Sequence, residues 1–298
     1  MSSFFDVLAW NKTKSLLLML IFTLFFAAVV YLFVILLGGG LFGFAIGVII
    51  IIGYALFSYF VGDKLVLKIS KAKEADQHQY KDLYSTVEGL ALANQIPMPK
   101  VYIINDQSPN AFATGRNRRR ASVAVTSGLL SMMSREELQG VLAHEISHIL
   151  DNDIFFMMIA VVYAGAIGLF AAWARNMLFW GGYGGGRNDE GILLIVALAL
   201  GILAPIFAFL IRFAISRKRE YMADANGARI IRNPQALANA LKKIQAYSAN
   251  PQAPQMAHAN SMTSYLYFSS PFKASSIANL LSTHPPIAER IRILEKMY

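Results

Sequence analysis

The run His144-Glu145-Ile146-Ser147-His148 sets two imidazoles four residues apart with a carboxylate beside the first. Positions i and i+4 of a helix share a face, so both rings can reach one ion. Glu145 stands next to them, where it can take a proton from water that the ion activates. The chain holds only five histidines, and chance is a poor account of a pair that brackets a glutamate on one helix. A catalytic zinc ordinarily takes three protein ligands and keeps a fourth position for water. A distant His, Asp or Glu must therefore complete the set. Glu220-Tyr221-Met222-Ala223-Asp224 stands out, because Glu220 and Asp224 again share a helical face. Glu220 can supply the third ligand, and Asp224 can accept the free N–H of a ligating histidine. The plainer alternative is a surface ion-pair cluster with Arg217 and Arg219.

Such side chains need rigid elements to hold them. Ser134-Arg135-Glu136-Glu137 is a capping box, with Ser134 as cap and Glu137 reaching back three residues, and its helix runs to about Leu150. Leu138, Val141, Leu142, Ile146 and Ile149 give that helix apolar faces for a core. Upstream, Tyr80, Leu83, Val87, Leu90 and Ala91 recur with helical period, predicting an amphipathic helix over Ala75–Asn94. Pro97 and Pro99 follow it. Lys100–Ile104, Asn110–Gly115 and Ala121–Thr126 read as short strands, the last two joined by the charged turn Arg116–Arg120. That basic cluster fits a solvated hairpin tip near anionic lipid. It lacks interleaved aromatics and any nucleic-acid motif, so no nucleic-acid partner is expected. Further helices are expected over Arg217–Ile231, Pro234–Ala249 and Pro285–Met297. A Ser-, Ala-, Asn- and Pro-rich loop of about 35 residues precedes the last, a length that hints at function.

Hydrophobic residues make up 56% of the 298 and charged residues 15%, against roughly 25% charged in soluble domains. Disorder, a disulfide-stapled mini-protein and an ordinary soluble enzyme are thereby excluded. The apolar excess gathers in Ser15–Leu37, Leu41–Val61, Ile154–Trp173 and Gly191–Ile211, each near the ~20 residues that cover a bilayer core. Lys12 and Lys14, Lys64 to Lys73, and Arg217-Lys218-Arg219 flank these blocks on one side. They orient both termini and the polar segments toward the cytoplasm, which accounts for the net charge of +9. The first block is too long for a cleaved signal peptide and should remain as an anchor. Without cysteine there is neither a disulfide nor thiolate chemistry. The expected organisation is a membrane hairpin over 1–62, a cytoplasmic domain over 63–153 with the His-Glu helix, a second hairpin over 154–216, and a second cytoplasmic part over 217–298. Two crossings return the chain to the side it left, so both ligand sets belong at one membrane face. Asp151 and Asp153 fit polar residues at that interface.

At these residues the sequence resembles the HtpX-type membrane zinc metalloproteases, relatives of the CAAX prenyl proteases. The likeness covers nearly the whole chain. It rests on Asn110-Ala111-Phe112-Ala113-Thr114-Gly115, His144 to His148 with Asp153, Glu220 to Asp224, and Ser282-Thr283-His284-Pro285-Pro286, in that order. The resemblance implies one catalytic zinc held by His144, His148 and Glu220, with Glu145 as general base and Asp224 and Asp153 behind the ligands. It implies a gluzincin-like protease domain, mainly α with a small β-sheet, on a polytopic membrane protein with four transmembrane helices. It also implies polypeptide substrates, membrane or misfolded proteins, cleaved at the cytoplasmic face of the bacterial inner membrane in envelope quality control. Four spans are fewer than the CAAX branch is expected to have, so prenyl-peptide processing is not expected.

Hydrolysis through a tetrahedral oxyanion needs a donor besides zinc. His284, held extended by Pro285, is the candidate, and Arg290 can reach the same cleft; alternatively His284 caps a helix and Arg290 is a surface charge. Asn110, Ala111, Phe112 and Ala113 can form an edge strand that pairs with extended substrate, or simply a hairpin strand. The rival from another class is a zinc-stabilised membrane scaffold or transporter. Against it, no charged residue lies in the first three apolar blocks. A zinc hydrolase acting on something other than peptide is the remaining alternative.

Overall fold

The structure is a computed structural model and describes scattered positions between 17 and 34, then 40–180, 217–257, 266–269 and 285–297. The chain divides into two compact units, Met1–Val61 with Ile159–Ala214, and Gly62–Met158 with Ile215–Tyr298.

Helix α1, Gly40–Ile69, carries the second apolar block. Leu41, Phe42, Ile49, Ile52, Leu56 and Phe60 on it are exposed, an arrangement that water penalises and lipid does not. Among the described residues it is the one helix that by itself has the length and apolarity to cross a bilayer. Within the first unit, the Tyr54 hydroxyl donates to the Val162 carbonyl at 2.6 Å, and Thr23 and Tyr163 share a hydrogen bond of 3.2 Å. Phe26 stacks on Tyr54 with ring centroids 4.7 Å apart. Of the other apolar blocks, Ile154–Trp173 falls within helix α5, Asp153–Trp180. Ser15–Leu37 is described only at scattered helical positions, and Gly191–Ile211 lies outside the described residues.

The second unit is built on a mixed sheet of β1 (Lys73–Glu74), β2 (Lys100–Ile104), β3 (Ala111–Gly115) and β4 (Ala121–Thr126), in the order β1-β2-β4-β3. The β2–β4 pair is parallel and the outer pairs are antiparallel. Helix α2, Lys81–Ala93, buries Leu83, Val87, Leu90 and Ala91 as its period demands. It starts six residues later than expected from the sequence. The Ala75 N–H donates to Val101 in the sheet, and the Asp76 carboxylate accepts from the His78 and Gln79 amides, so a turn takes the place of the first helical turns. The turn between β3 and β4 contains a short 3₁₀ segment, Arg118–Arg120, with Asn117 as its cap. Gly115 opens it at φ +145°, where a Cβ would lie 2.3 Å from the Arg120 carbonyl oxygen. Arg119 and Arg120 are exposed, but Arg118 turns inward and donates to the Leu150 carbonyl, capping the end of the following long helix.

A short helix α3, Ser127–Met132, not anticipated from the sequence, is capped by the Thr126 hydroxyl. Helix α4, Arg135–Leu150, begins with the expected capping box: Ser134 N–H donates to Glu137 at 2.7 Å and Glu137 N–H to the Ser134 hydroxyl at 3.3 Å. It packs against α2, β3 and two later helices, α6 (Arg217–Ile231) and α7 (Pro234–Ala249). Val123, Val125, Leu142, Ile146, Leu237 and Leu241 form the dry centre of this arrangement. The last helix, α8, covers Ile287–Glu295, shorter at both ends than Pro285–Met297: Pro286 sits at its N-cap and Lys296 at its C-cap.

Candidate active site

Helix α4 presents His144 and His148 one turn apart, and α6 brings Glu220 to them. The close approach of the two helices depends on Gly227, two turns after Glu220 on α6, where a Cβ would stand 2.9 Å from the His144 backbone nitrogen. The two Nε2 atoms are 3.2 Å apart. Glu220 Oε1 lies 3.6 Å from His148 Nε2, and Glu220 Oε2 lies 3.9 Å from His144 Nε2. One ligand atom from each of the three residues falls within 4.8 Å of the others, a group able to hold a metal ion. All three side chains are buried, at 0%, 4% and 2% exposure for His144, His148 and Glu220, so a solvent-facing ion-pair cluster is not what these carboxylates form.

Both Nδ1 atoms face carboxylates, which leaves Nε2 for a metal. His144 Nδ1 is 2.9 Å from Asp224 Oδ1, and His148 Nδ1 is 3.3 Å from Asp153 Oδ2. Arg290, expected either to reach the cleft or to be a surface charge, is buried behind Asp224 and is not a surface charge. Its guanidinium forks onto Asp224 with bonds of 2.8 and 2.7 Å and donates to the Phe268 carbonyl at 2.9 Å. Burial would raise the Asp224 carboxyl, but Arg290 and His144 outweigh it and hold the group below its ordinary range. Burial lowers His144 to about 4. For His148 burial also lowers, yet Asp153, Glu220 and Glu145 around it prevail and raise it to about 9.

Glu145 is 1% exposed, and among the described residues neither carboxylate oxygen has a hydrogen-bond partner. Burial lifts it to about 7; the neighbouring His148 pulls it down and Glu220 pushes it up. A buried carboxylate without a partner is costly in an inert core. Beside three converging ligands it is instead placed for a bound ion and its water, so the donor set fits a metal with imidazole and carboxylate preference such as zinc.

Asn110, Ala111, Phe112 and Ala113 lie at the edge of the sheet, but that edge is engaged. The Asn110 carbonyl accepts from the Thr126 N–H of β4 at 3.0 Å, so by alternation the main-chain groups of Ala111 face away from β4. There its carbonyl accepts from the Phe268 N–H at 2.8 Å, while the Asn110 amide brackets Ser269 with bonds of 3.0 and 3.2 Å. Phe268 also meets the His144 ring edge-on at 4.9 Å. Sequence reasoning had no signal for Phe268, which sits in an aperiodic loop. His284 lies outside the described residues.

A buried His-Glu-x-x-His helix, a converging glutamate from a second helix and a small mixed sheet alongside define a metallopeptidase. Residues 77–298 match peptidase family M48. The chain is 46% identical over 281 residues to a protease HtpX homologue of Desulfatibacillum aliphaticivorans, covering 94% of this chain and 88% of that one. It is 42% identical to one of Caldanaerobacter subterraneus subsp. tengcongensis, covering 98% and 97%, and 43% identical to one of Streptococcus thermophilus, covering 98% and 99%. The chain therefore belongs to peptidase family M48, in its HtpX-type branch. In fold it is similar to the crystal structure of S. mikatae Ste24p, with a TM-score of 0.53 and 21% identity, covering 90% of this chain and 62% of that longer one.

Proposed function

We propose that this protein is a zinc endopeptidase of the bacterial cytoplasmic membrane that cleaves membrane or misfolded proteins in envelope quality control. In this reading four spans anchor it, grouped as residues 1–62 and 154–216, and the active site and both termini face the cytoplasm. The observation that carries the reading is Glu145, a buried carboxylate with no hydrogen-bond partner among the described residues, beside three converging ligands.

His144, His148 and Glu220 would hold one zinc, which supplies Lewis acidity to polarise a peptide carbonyl and to lower the pKa of water. Asp224 and Asp153 keep the proton of each imidazole on Nδ1 and so direct Nε2 inward. With a pKa near 7, the Glu145 carboxylate can take a proton from the attacking water and return it to the leaving amine. Arg290 fixes Asp224. An extended substrate would pair with β3, and at Ala111 it must displace the Phe268 N–H. His284 keeps its assigned role as oxyanion donor on sequence grounds.

The test is cleavage of a casein-type substrate by the detergent-solubilised chain, with and without a zinc chelator, beside Glu145→Gln. Activity should vanish on chelation and return with zinc. Glu145→Gln should retain zinc and lose at least ~100-fold in rate, the scale of general-base catalysis. Zinc retention without cleavage by the unaltered chain would favour a zinc-stabilised scaffold, and full activity of Glu145→Gln would remove Glu145 as base.

A further inference from the structure

Behind each ligating histidine stands an aspartate, and behind each aspartate an arginine. The chain Arg290–Asp224–His144 has a partner in Arg219–Asp153–His148, where Arg219 Nη1 donates to Asp153 Oδ1 at 2.8 Å while Asp153 Oδ2 faces His148 Nδ1. We propose that Arg219 is a positioning residue of the metal centre, acting through Asp153 on His148. The proposal rests on the zinc-centre reading above and assigns a role to a residue that neither the motif nor the ligand set includes.

Several features separate this contact from an ordinary surface ion pair. Asp153 has its two oxygens divided between His148 and Arg219, so the guanidinium fixes the carboxylate plane and, through it, the imidazole. The side chains are largely withdrawn from water, 11% exposed for Arg219 and 4% for Asp153. The Arg219 guanidinium also lies 5.1 Å from the centroid of the buried Phe156 ring, which holds it from another direction. Asp153 reaches His148 because Asn152 turns the backbone sharply with φ +57° between α4 and α5. Arg219 directly precedes Glu220, and neighbours on a helix point about 100° apart. One turn of α6 thus supplies both the third ligand and the outer support of a ligand on α4.

The two arms differ in a way that sets the test. Arg290 grips Asp224 with two bonds, whereas Arg219 gives Asp153 one. A lysine can replace a single charged donor but not a fork. Zinc affinity of the full chain in detergent, measured by competition with a chromophoric chelator, reads the effect without any activity assay. Arg219→Ala should weaken zinc binding by about 10-fold, the lower end of losses for groups behind a ligand. Arg219→Lys should stay within about 3-fold of wild type, with Arg219→Gln weaker than Arg219→Lys. In an Asp153→Asn background Arg219→Ala should add under about 2-fold, since coupled residues are not additive. A merely structural arginine would lower the melting temperature of the chelator-treated chain and leave zinc affinity alone. Wild-type affinity in Arg219→Ala, or losses that multiply with Asp153→Asn, overturns the inference. Should Arg219→Ala fail to fold, equal affinities of Arg219→Lys and Arg219→Gln overturn it. A wild-type chain without zinc affinity overturns the metal centre and this inference together, whereas an indifferent Arg219 in a zinc-binding chain overturns the inference alone.

Discussion

Glu220→Ala takes one carboxylate from a buried group of three ligands, and a loss of at least ~10-fold in zinc affinity is expected by the same chelator competition. Its neighbours in sequence show why spacing alone was an incomplete guide. Glu220 and Asp224 were readable as a pair on one helical face, but whether that face met water or α4 depended on packing, and both are buried. Arg290 illustrates the same point, because a lone arginine in a C-terminal helix carries no sign that it will fork onto an aspartate 66 residues away. Asp151 supplies a test outside the ligand set. Burial and then Asp153 lift its carboxyl from 3.8 to about 6. Between about pH 4 and pH 6 the folded chain therefore keeps a proton that the unfolded chain has released, and stability from this group falls as pH rises through that window. Asp151→Asn keeps an acceptor for Asn226, which donates to it at 3.3 Å. It should raise the thermal midpoint at neutral pH and flatten the slope between about pH 4 and pH 6, as thermal scans across that range can check.

Among the elements, α4 was legible almost to the residue. Its start is a short-range device, the reciprocal Ser134–Glu137 capping box, and Lys243 from α7 reinforces it by donating to Glu137 at 2.6 Å. Ser134→Ala should cost about 1 kcal/mol of stability in denaturant titration, the usual worth of such a cap. The N-terminus of α2 was misplaced because hydrophobic period continued past the point where Asp76 and the sheet claimed the backbone. The sequence pairs Glu220 with the histidines, but how closely α6 approaches α4 is marked there only by a glycine within a helical run. Gly227→Ala puts a methyl against the His144 and Ala143 backbone, 2.9 to 3.2 Å away. The helices must part, so both the melting temperature and zinc affinity should fall, with Glu145 itself untouched. Gly89→Ala, where a Cβ meets nothing within 4 Å inside α2, is the matched control: it should leave zinc affinity unchanged and raise the melting temperature slightly, as alanine favours a helix interior over glycine.

For the whole molecule, orientation is the open proposition, and a chain without cysteine invites a direct measurement. Single substitutions Asn117→Cys and Gly39→Cys place one thiol on the β3–β4 turn and one between the first two apolar blocks. In intact cells a membrane-impermeant maleimide should label Cys at 39 and spare Cys at 117, and the reverse pattern would overturn the proposed cytoplasmic active site. By itself the sequence determined what local chemistry can encode: the helix that carries the histidine pair, its cap, the strands beside it, the apolar blocks and the residue types able to hold a metal. Those signals act over a few residues, through hydrogen bonds and side-chain period. Only the tertiary structure decided which polar groups left water together. It brought Glu220 across more than 70 residues of chain to His148, buried Arg290, set Arg219 on Asp153 and laid Phe268 along Ala111. Each of these depends on how closely helices and sheet pack, a sum over many distant contacts that no short stretch of sequence contains.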